Sequence, residues 1–411
     1  MKKSKLVFGI ITFVCLGLGF LLGFLAPEFS ESIKFFGDWY ILELKIIIGP
    51  VIFSSIFVNV LRRQKGSSLT LLKTIGLFIA MFIVTFLLTA GIVAIAKPGS
   101  GFVIDNPDEL PSEADFGVLS IFKNLLPKDL ETFFKGGNIF LIIVIAFVTS
   151  LIISFTPIKE KTADVFEVIR KYLGYALQII IFLTPLAVTS LVSNTIVKYG
   201  SMVIAAGLKY ILFAWGCSII AIILVMILPV WLIAKINPIT YVKKVAKVWL
   251  VSLSTCSSVA TLPHTIKCCN EDFGVDEKIT NVVVPLGCTI HMCGGAVSFA
   301  LLGLFVSQMS GFTITFGTFL LMILCATLIN MAAPGIPGGG RIIGISYLMI
   351  FGLPIAGFYG FYNGIYSLLD MSYTTLNVTG DISANIILNR FEKKEDKKIE
   401  QSSIEENAVK E

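Results

Sequence analysis

Four polar residues stand in register near the end of the chain: Asp370, Thr374, Asn377 and Asp381, spaced four, three and four residues apart. That spacing puts them on one face of a helix. The residues around them are apolar or small, so the helix is a candidate membrane span. A carboxylate at the centre of a bilayer costs about 2.5 to 3.5 kcal/mol on insertion scales, and one found there is by default a functional group with a partner. The chemistry open to such a face is the binding of a cation, either an organic ammonium or a hard metal ion that prefers oxygen ligands. Asp381, nearer the end of the segment, has the alternative of being solvated at the membrane surface.

Two further groups of residues could do chemistry. Cys288, His291, Met292 and Cys293 crowd into PLGCTIHMCGG (285–295). They resemble a soft-metal site, but a short break seldom aims all its donors at one point and no fourth strong ligand stands out. Packing for the cysteines and hydrogen bonding for His291 are the favoured reading. His264 and His291 are the only histidines, and neither sits in a catalytic motif, which argues against an enzyme. Arg341 directly follows the run PGIPGGG. It is either an interfacial side chain that snorkels to water or an anchor for an anion, since a guanidinium grips carboxylates in a bidentate fork.

The elements that must position these residues are broken helices. Polar or Gly/Pro clusters interrupt four apolar segments, at 252–263 (SLSTCSSVATLP), 285–295, 332–340 (AAPGIPGGG) and 368–381. Irregular backbone at membrane depth is tolerated only where protein or a water-filled cavity covers it, and paired interruptions are the best pointer to a transporter's binding site. Segments 238–270 and 312–350 read as re-entrant hairpins, followed by spans at 276–309 and 355–390. Six ordinary spans precede them, at 6–26, 36–61, 71–96, 138–156, 172–194 and 202–234. The expected fold is an all-α polytopic membrane protein with eight transmembrane helices and two re-entrant helical hairpins.

Composition agrees. The 411 residues are 55% hydrophobic and 14% charged, with a mean hydropathy of +0.88, which requires lipid as solvent. The net charge of +5 is scattered over short loops and tails, so it reads as membrane orientation and not as a nucleic-acid footprint. Lys2, Lys3 and Lys5, then Arg62, Arg63, Lys65 and Lys73, then Lys159, Lys161, Arg170 and Lys171, then Lys235, Lys243, Lys244 and Lys247 mark four cytoplasmic regions. The acidic connection 98–137 then lies outside, and the polar tail 391–411 is expected to be disordered in the cytoplasm, so both termini are cytoplasmic. The first apolar run is read as a span and not as a signal peptide, because it reaches spanning length without a small-residue cleavage site. The eight cysteines contain no C-x-x-C pair and suggest no disulfide framework.

The tips SSVATLP and PGIPGGG, the PLGCTIHMCGG break and LDMSYTTLNVTGD together resemble the dicarboxylate/amino acid:cation symporter family, the glutamate-transporter group, in order and in motif over nearly the whole chain. The resemblance implies scaffold helices at 1–70 and 138–200, and transport-domain elements at 71–137, 201–237 and 238–390, with 391–411 as the tail. It implies a homotrimer in a cell membrane, whose protomers each carry a small-molecule substrate by an elevator motion. No organic cofactor is implied; the coupling ion is Na+ and/or H+. Asp370 would hold the substrate's ammonium, Asn377 its main carboxylate, and Thr374 would line the same pocket. One sodium site would use Gly287, His291, Asn377 and Asp381. A second would use main-chain oxygens of Thr289, Met292, Asn330, Met331 and Ala333. Ser257 and Ser258 in the first tip, and Ile336 to Gly340 in the second, would close over the substrate.

The chain departs from the family in three places. His291 and Cys293 replace the asparagine and aspartate of a third sodium site, and only Thr85 and Thr89 are offered nearby, off register, so that site is expected to be absent or rebuilt. His291 is then a candidate proton carrier. Tyr373 replaces the arginine that grips an acidic side chain, and Gly295 the threonine that assists it. Arg341 stands where a small residue is usual. If Arg341 snorkels, the side-chain pocket is uncharged and a neutral amino acid is the favoured substrate; if it turns inward, an acidic amino acid or a dicarboxylate is.

Overall fold

The computed structural model describes residues 2–62, 68–102, 139–331, 339–351, 353 and 358–408, and every regular element among them is helical. The first half consists of α1 (Lys2–Leu25), the short α2 (Pro27–Ser32), α3 (Lys34–Leu61), α4 (Ser68–Ala96), α5 (Ile139–Ser154), α6 (Lys159–Phe182), α7 (Thr184–Tyr199) and α8 (Met202–Ala221). Helix α8 continues through two π-helical turns, Ile222–Ile227 and Val230–Ala234, on either side of Leu228 and Pro229. Proline has no N–H to offer the ladder, and a π-bulge is one way to absorb the loss. The second half consists of α9 (Pro238–Thr255), α10 (Ser258–Lys267), α11 (Glu277–Ile290), α12 (Cys293–Ser310), α13 (Phe316–Met331), α14 (Gly339–Ile350) and α15 (Phe358–Ala408).

By length and composition, four stretches are able to cross a membrane: Pro27–Leu61, Thr70–Ala96, Ile204–Ala234 and Glu277–Ser310. Helices α6 and α7, bent by 49°, make a fifth if taken as one span. The eight expected spans are more than this, because α1 and α5 present shorter apolar stretches and α15 is rich in polar residues. Leu21, Val84 and Leu212 nevertheless leave apolar side chains exposed on α1, α4 and α8, the surface that lipid covers. The fifth expected span, 172–194, is interrupted at Leu183, where Pro185 in the first turn of α7 starts a new helix.

The breaks at 256–257 and 291–292 are real. Asn237 opens α9 by accepting from the Ile239 N–H, and α9 stops at Cys256, which takes a left-handed conformation (φ 47°). Ser257 is extended and caps α10, accepting from the Ala260 N–H at 3.2 Å. The α9–α10 pair turns back on itself: the Lys244 ammonium donates to the Asp272 carbonyl near the open end. Asp276 caps α11, which ends at His291, and α12 begins after Met292.

The fourth expected interruption, at 368–381, is not a break in the backbone. Helix α15 runs straight through it, because the hydroxyls of Thr375 and Thr379 donate to the carbonyls four residues back, at 2.8 and 2.6 Å, and satisfy themselves within the helix. The tail also differs from expectation: α15 continues to Ala408. Its Lys, Glu and Gln residues are good helix formers and extend a helix already nucleated. Of the predicted connection 98–137, residues 103–137 lie outside the described residues, as do Arg63, Lys65 and the tip at 332–338.

Helix α15 is the axis around which the second half packs. Trp215 Nε1 donates to the Leu368 carbonyl at 3.1 Å, Trp249 Nε1 to Thr379 Oγ1 at 2.8 Å, and Tyr241 Oη pairs with Ser383 Oγ at 2.7 Å. Ser252 Oγ pairs with Thr375 Oγ1 at 3.0 Å and Asn385 donates to Thr280 Oγ1 at 2.9 Å. Thr70 Oγ1 donates to Glu392 at 2.6 Å and Asn389 accepts from the Asp276 N–H at 3.4 Å. Those contacts gather the start of α4, the open end of the α9–α10 pair and the far end of α15 at one end of the molecule. Gln308, accepting from the Gly99 N–H at 2.9 Å, marks the other end. Arg62, at the end of α3, meets Glu160, Asp164 and Glu167 of α6, so basic regions assigned to one side by charge do meet in space.

Candidate functional site

The polar face of α15 closes one wall of a cavity whose other walls come from the helix breaks. Cys256, Ser257 and Ser258 line it from the α9–α10 turn, and Met292, Gly295, Ser298 and Phe299 from the start of α12. Asn330, Gly340 and Ile343 line it from α13 and α14, and Tyr366, Asp370, Tyr373, Thr374 and Asn377 from α15. Three helices, α10, α12 and α14, begin at this cavity. Their first N–H groups lack intrahelical partners and carry partial positive charge, which favours an anionic group there.

Facing those helix ends is Asp370, partly buried, with Thr374 Oγ1 donating to its Oδ1 at 3.3 Å. The cavity therefore joins a carboxylate to a cluster of amide donors, the complement of a zwitterion. Asn377 is fixed by its neighbour: its Oδ1 accepts from the Gly294 N–H at 2.7 Å. A backbone N–H can only donate, so the side-chain oxygen is identified and the NH2 group remains the donor. Gly294 must be glycine for this contact, since a Cβ there would overlap the Tyr373 backbone.

Deeper along α15, Asp381 is fully buried, so solvation at the membrane surface does not describe it. Its Oδ1 lies 3.0 Å from His291 Nδ1, and Cys288 Sγ lies 3.9 Å from its Oδ2. Cys293 Sγ is 3.1 Å from His291 Nε2, and the Phe78 ring of α4 stacks on the imidazole at 4.2 Å between centroids. His291 is thus engaged on both ring nitrogens and one face, which accords with a hydrogen-bonding role. A Cβ on Gly287 would collide with the Asp381 carboxylate. Gly287 and His291 are accordingly brought together around the buried Asp381 carboxylate, one helical turn beyond Asn377 on α15.

The other predicted cation ligands are placed in part. Met292 and Asn330 line the cavity, and the Asn330 NH2 reaches the Ile290 carbonyl at the long distance of 3.5 Å. Thr289 is one residue before the end of α11, its hydroxyl donating back to the Leu286 carbonyl at 2.8 Å. Met331 is the last residue of α13. Ala333 and Ile336 lie outside the described residues.

Arg341 does not snorkel. It is only 3% exposed, its Nη2 donates to Ser367 Oγ at 2.8 Å, and its guanidinium carbon lies 5.3 Å from the centre of the Tyr366 ring. The reason is local: Arg341 is in the first turn of α14, packed against α15 and away from either end of the bundle. Sequence reasoning missed Tyr366, Ser298, Phe299, Cys256 and Ile343 as cavity residues. Tyr366 was findable, one helical turn before Asp370 on the same face, and Ser298 and Phe299 follow Gly295 by three and four residues.

Comparison with known proteins agrees with this geometry. The chain is 27% identical over 450 residues to the putative sodium-dependent excitatory amino acid transporter glt-4 of Caenorhabditis elegans, covering 94% of this chain and 88% of that one. It is 26% identical over 408 residues to the C4-dicarboxylate transport protein of Xanthomonas campestris pv. campestris (strain B100), covering 92% and 87%. It is 31% identical over 257 residues to the excitatory amino acid transporter 1 of Mus musculus, covering 61% and 47%. These are transporters and not enzymes. The sequence model described as the sodium:dicarboxylate symporter family matches residues 8–391, and the chain is a multi-pass membrane protein belonging to that family.

Proposed function

We propose that this protein is a secondary active symporter that imports a small amino acid by coupling it to sodium, with the proton as the alternative coupling ion. The observation that carries the reading is the placing of Asp370 opposite three helix N-termini in one cavity. The substrate ammonium pairs with Asp370, and its carboxylate accepts from the Asn377 NH2 and from N–H groups at the start of α10. Thr374 positions Asp370. Sodium is cargo here, held by oxygens at the helix breaks: Asp381 with the carbonyls of Gly287, His291 and Asn377, and the carbonyls of Thr289, Met292, Asn330, Met331 and Ala333. Carbonyls at broken helix ends have lone pairs to spare for a hard cation.

Transport would proceed by an elevator motion of α4 and α8–α15 against α1–α3 and α5–α7, with the turns at Ser257–Ser258 and 336–340 as gates. The α9–α10 and α13–α14 pairs act as re-entrant hairpins, bringing the membrane architecture to eight spans and two hairpins. Both termini are cytoplasmic by the distribution of lysine and arginine, in a cell membrane and as a homotrimer, on the family resemblance. The neutral pocket favoured by Tyr373 and Gly295 depended on Arg341 reaching water, and its burial removes that premise.

A second reading, a C4-dicarboxylate carrier, is favoured by the name of the Xanthomonas relative. It sets a substrate carboxylate against Asp370, where like charges in contact repel, so the amino acid reading is preferred. Purified protein in proteoliposomes, given separate sodium and proton gradients, should accumulate labelled amino acid against its gradient. Asp370→Asn should abolish that uptake, because the ammonium loses its buried counter-charge. Normal amino acid transport by the variant would refute the assignment, and dicarboxylate transport insensitive to the substitution would establish the second reading.

A further inference from the structure

We propose that Arg341 is the specificity-determining residue of this cavity, selecting amino acids whose side chain ends in a carboxylate. The inference rests on the reading of the cavity as an amino acid site with the ammonium at Asp370.

The guanidinium is buried, yet only Nη2 has a hydrogen-bond acceptor, Ser367 Oγ; Nε and Nη1 have none. Among the described residues no carboxylate forms an ion pair with it. A buried charge without a partner is costly, and its cost falls when an anion arrives. The site is electropositive for a second reason. Arg341 occupies the first turn of α14, where the helix dipole already adds positive charge and a cation is disfavoured. The backbone holds the residue in place, since the Tyr359 hydroxyl donates to the Arg341 carbonyl at 2.8 Å.

Arg341 is not itself in the cavity wall, but its immediate neighbours are. Tyr366, over whose ring the guanidinium lies, is itself a wall of the cavity, as are Gly340 and Ile343 on the same helix as Arg341. Along α15 the order is Tyr366 and Ser367, then Asp370, then Thr374, then Asn377. An amino acid held by its ammonium at Asp370 and its carboxylate at Asn377 therefore has the Tyr366 end of the cavity left for its side chain. Gly340 keeps that end free of a Cβ, which would overlap the Tyr366 hydroxyl. A carboxylate placed there accepts from Nε and Nη1, the edge of the guanidinium suited to a bidentate pair. The Tyr366 ring, stacked on the cation, turns aside or slides as the pair forms. A neutral side chain leaves both donors unsatisfied, so the same residue attracts acidic substrates and discriminates against neutral ones.

The test compares aspartate and glutamate with serine and alanine in sodium-driven proteoliposome uptake by the wild type, Arg341→Lys and Arg341→Ala. The wild type should prefer the acidic pair by at least tenfold in kcat/KM. Arg341→Ala should lose that preference through a rise in KM for the acidic pair, and Arg341→Lys should keep part of it. Because Arg341→Ala deletes a buried side chain and so puts folding at risk, heat stabilisation of the detergent-solubilised wild type is read in parallel. Aspartate or glutamate with sodium should raise its Tm more than serine or alanine does. Preference of the wild type for neutral amino acids overturns the inference and leaves the amino acid reading intact. An acidic preference unchanged in Arg341→Ala also overturns it. Absence of uptake and of stabilisation by every amino acid overturns both together.

Discussion

Gly287 has no side chain because the Asp381 carboxylate occupies its place: an ideal Cβ there would stand 2.6 Å from Asp381 Cγ. Gly287→Ala should therefore push the carboxylate off the break between α11 and α12. The expected result is at least a tenfold loss of sodium-driven uptake, with half-saturation at a higher sodium concentration. Gly216→Ala, at a position where a Cβ meets nothing within 4 Å, is the control and should transport normally. Equal behaviour of the two variants would remove Asp381 from the cation site. The same residue scale shows what spacing could and could not reveal. The period of Asp370, Thr374, Asn377 and Asp381 was visible because it lies within one helix. The bonds of His291 to Asp381 and Cys293 were not, since they join segments ninety residues apart in one case and cross a helix break in the other.

The turn between α9 and α10 offers a chemical handle. Cys256 lies on the cavity wall, partly exposed, while Cys288 and Cys293 are buried. Its left-handed φ of 47° is uncommon for a residue with a Cβ and costs about 1 to 2 kcal/mol. Membrane-permeant thiol reagents should inhibit uptake by modifying Cys256, and substrate should protect. Cys256→Ser should transport and resist the reagent; inhibition that persists in this variant would place the reactive thiol elsewhere. The turn itself was legible from its Ser/Thr-rich sequence, because such residues favour caps over helix interiors, and the break at His291 from its interrupting prolines and glycines. The same logic failed at 368–381, where the threonines bond back to their own helix and leave it whole. It failed again at the tail, where charge density was read as disorder although Lys and Glu propagate a helix well. Charge and hydropathy alone do not distinguish those outcomes; the element they are attached to does.

At the scale of the whole molecule, α4 reaches across to the break in the second half. Phe78 stacks on His291, and Thr85, which could have supplied a ligand nearby, donates to its own Met81 carbonyl at 2.7 Å. With Cys293 standing where the family resemblance places an aspartate, the third sodium site is expected to be absent or rebuilt. The transport cycle should carry fewer than three sodium ions per substrate. Reversal potentials in proteoliposomes measure this directly, and a ratio of three would contradict it. The general architecture was readable from composition and the order of breaks, whereas the burial of Arg341 depended on packing between α14 and α15 that no local pattern encodes. One contact described for the fold has a spectroscopic side. Of the four tryptophans, Trp39 and Trp231 are about half exposed, while Trp249 donates its indole N–H to Thr379, midway between Asn377 and Asp381. Its indole is thus anchored to the segment of α15 that carries Asn377 and Asp381, and addition of substrate with sodium is expected to change its emission.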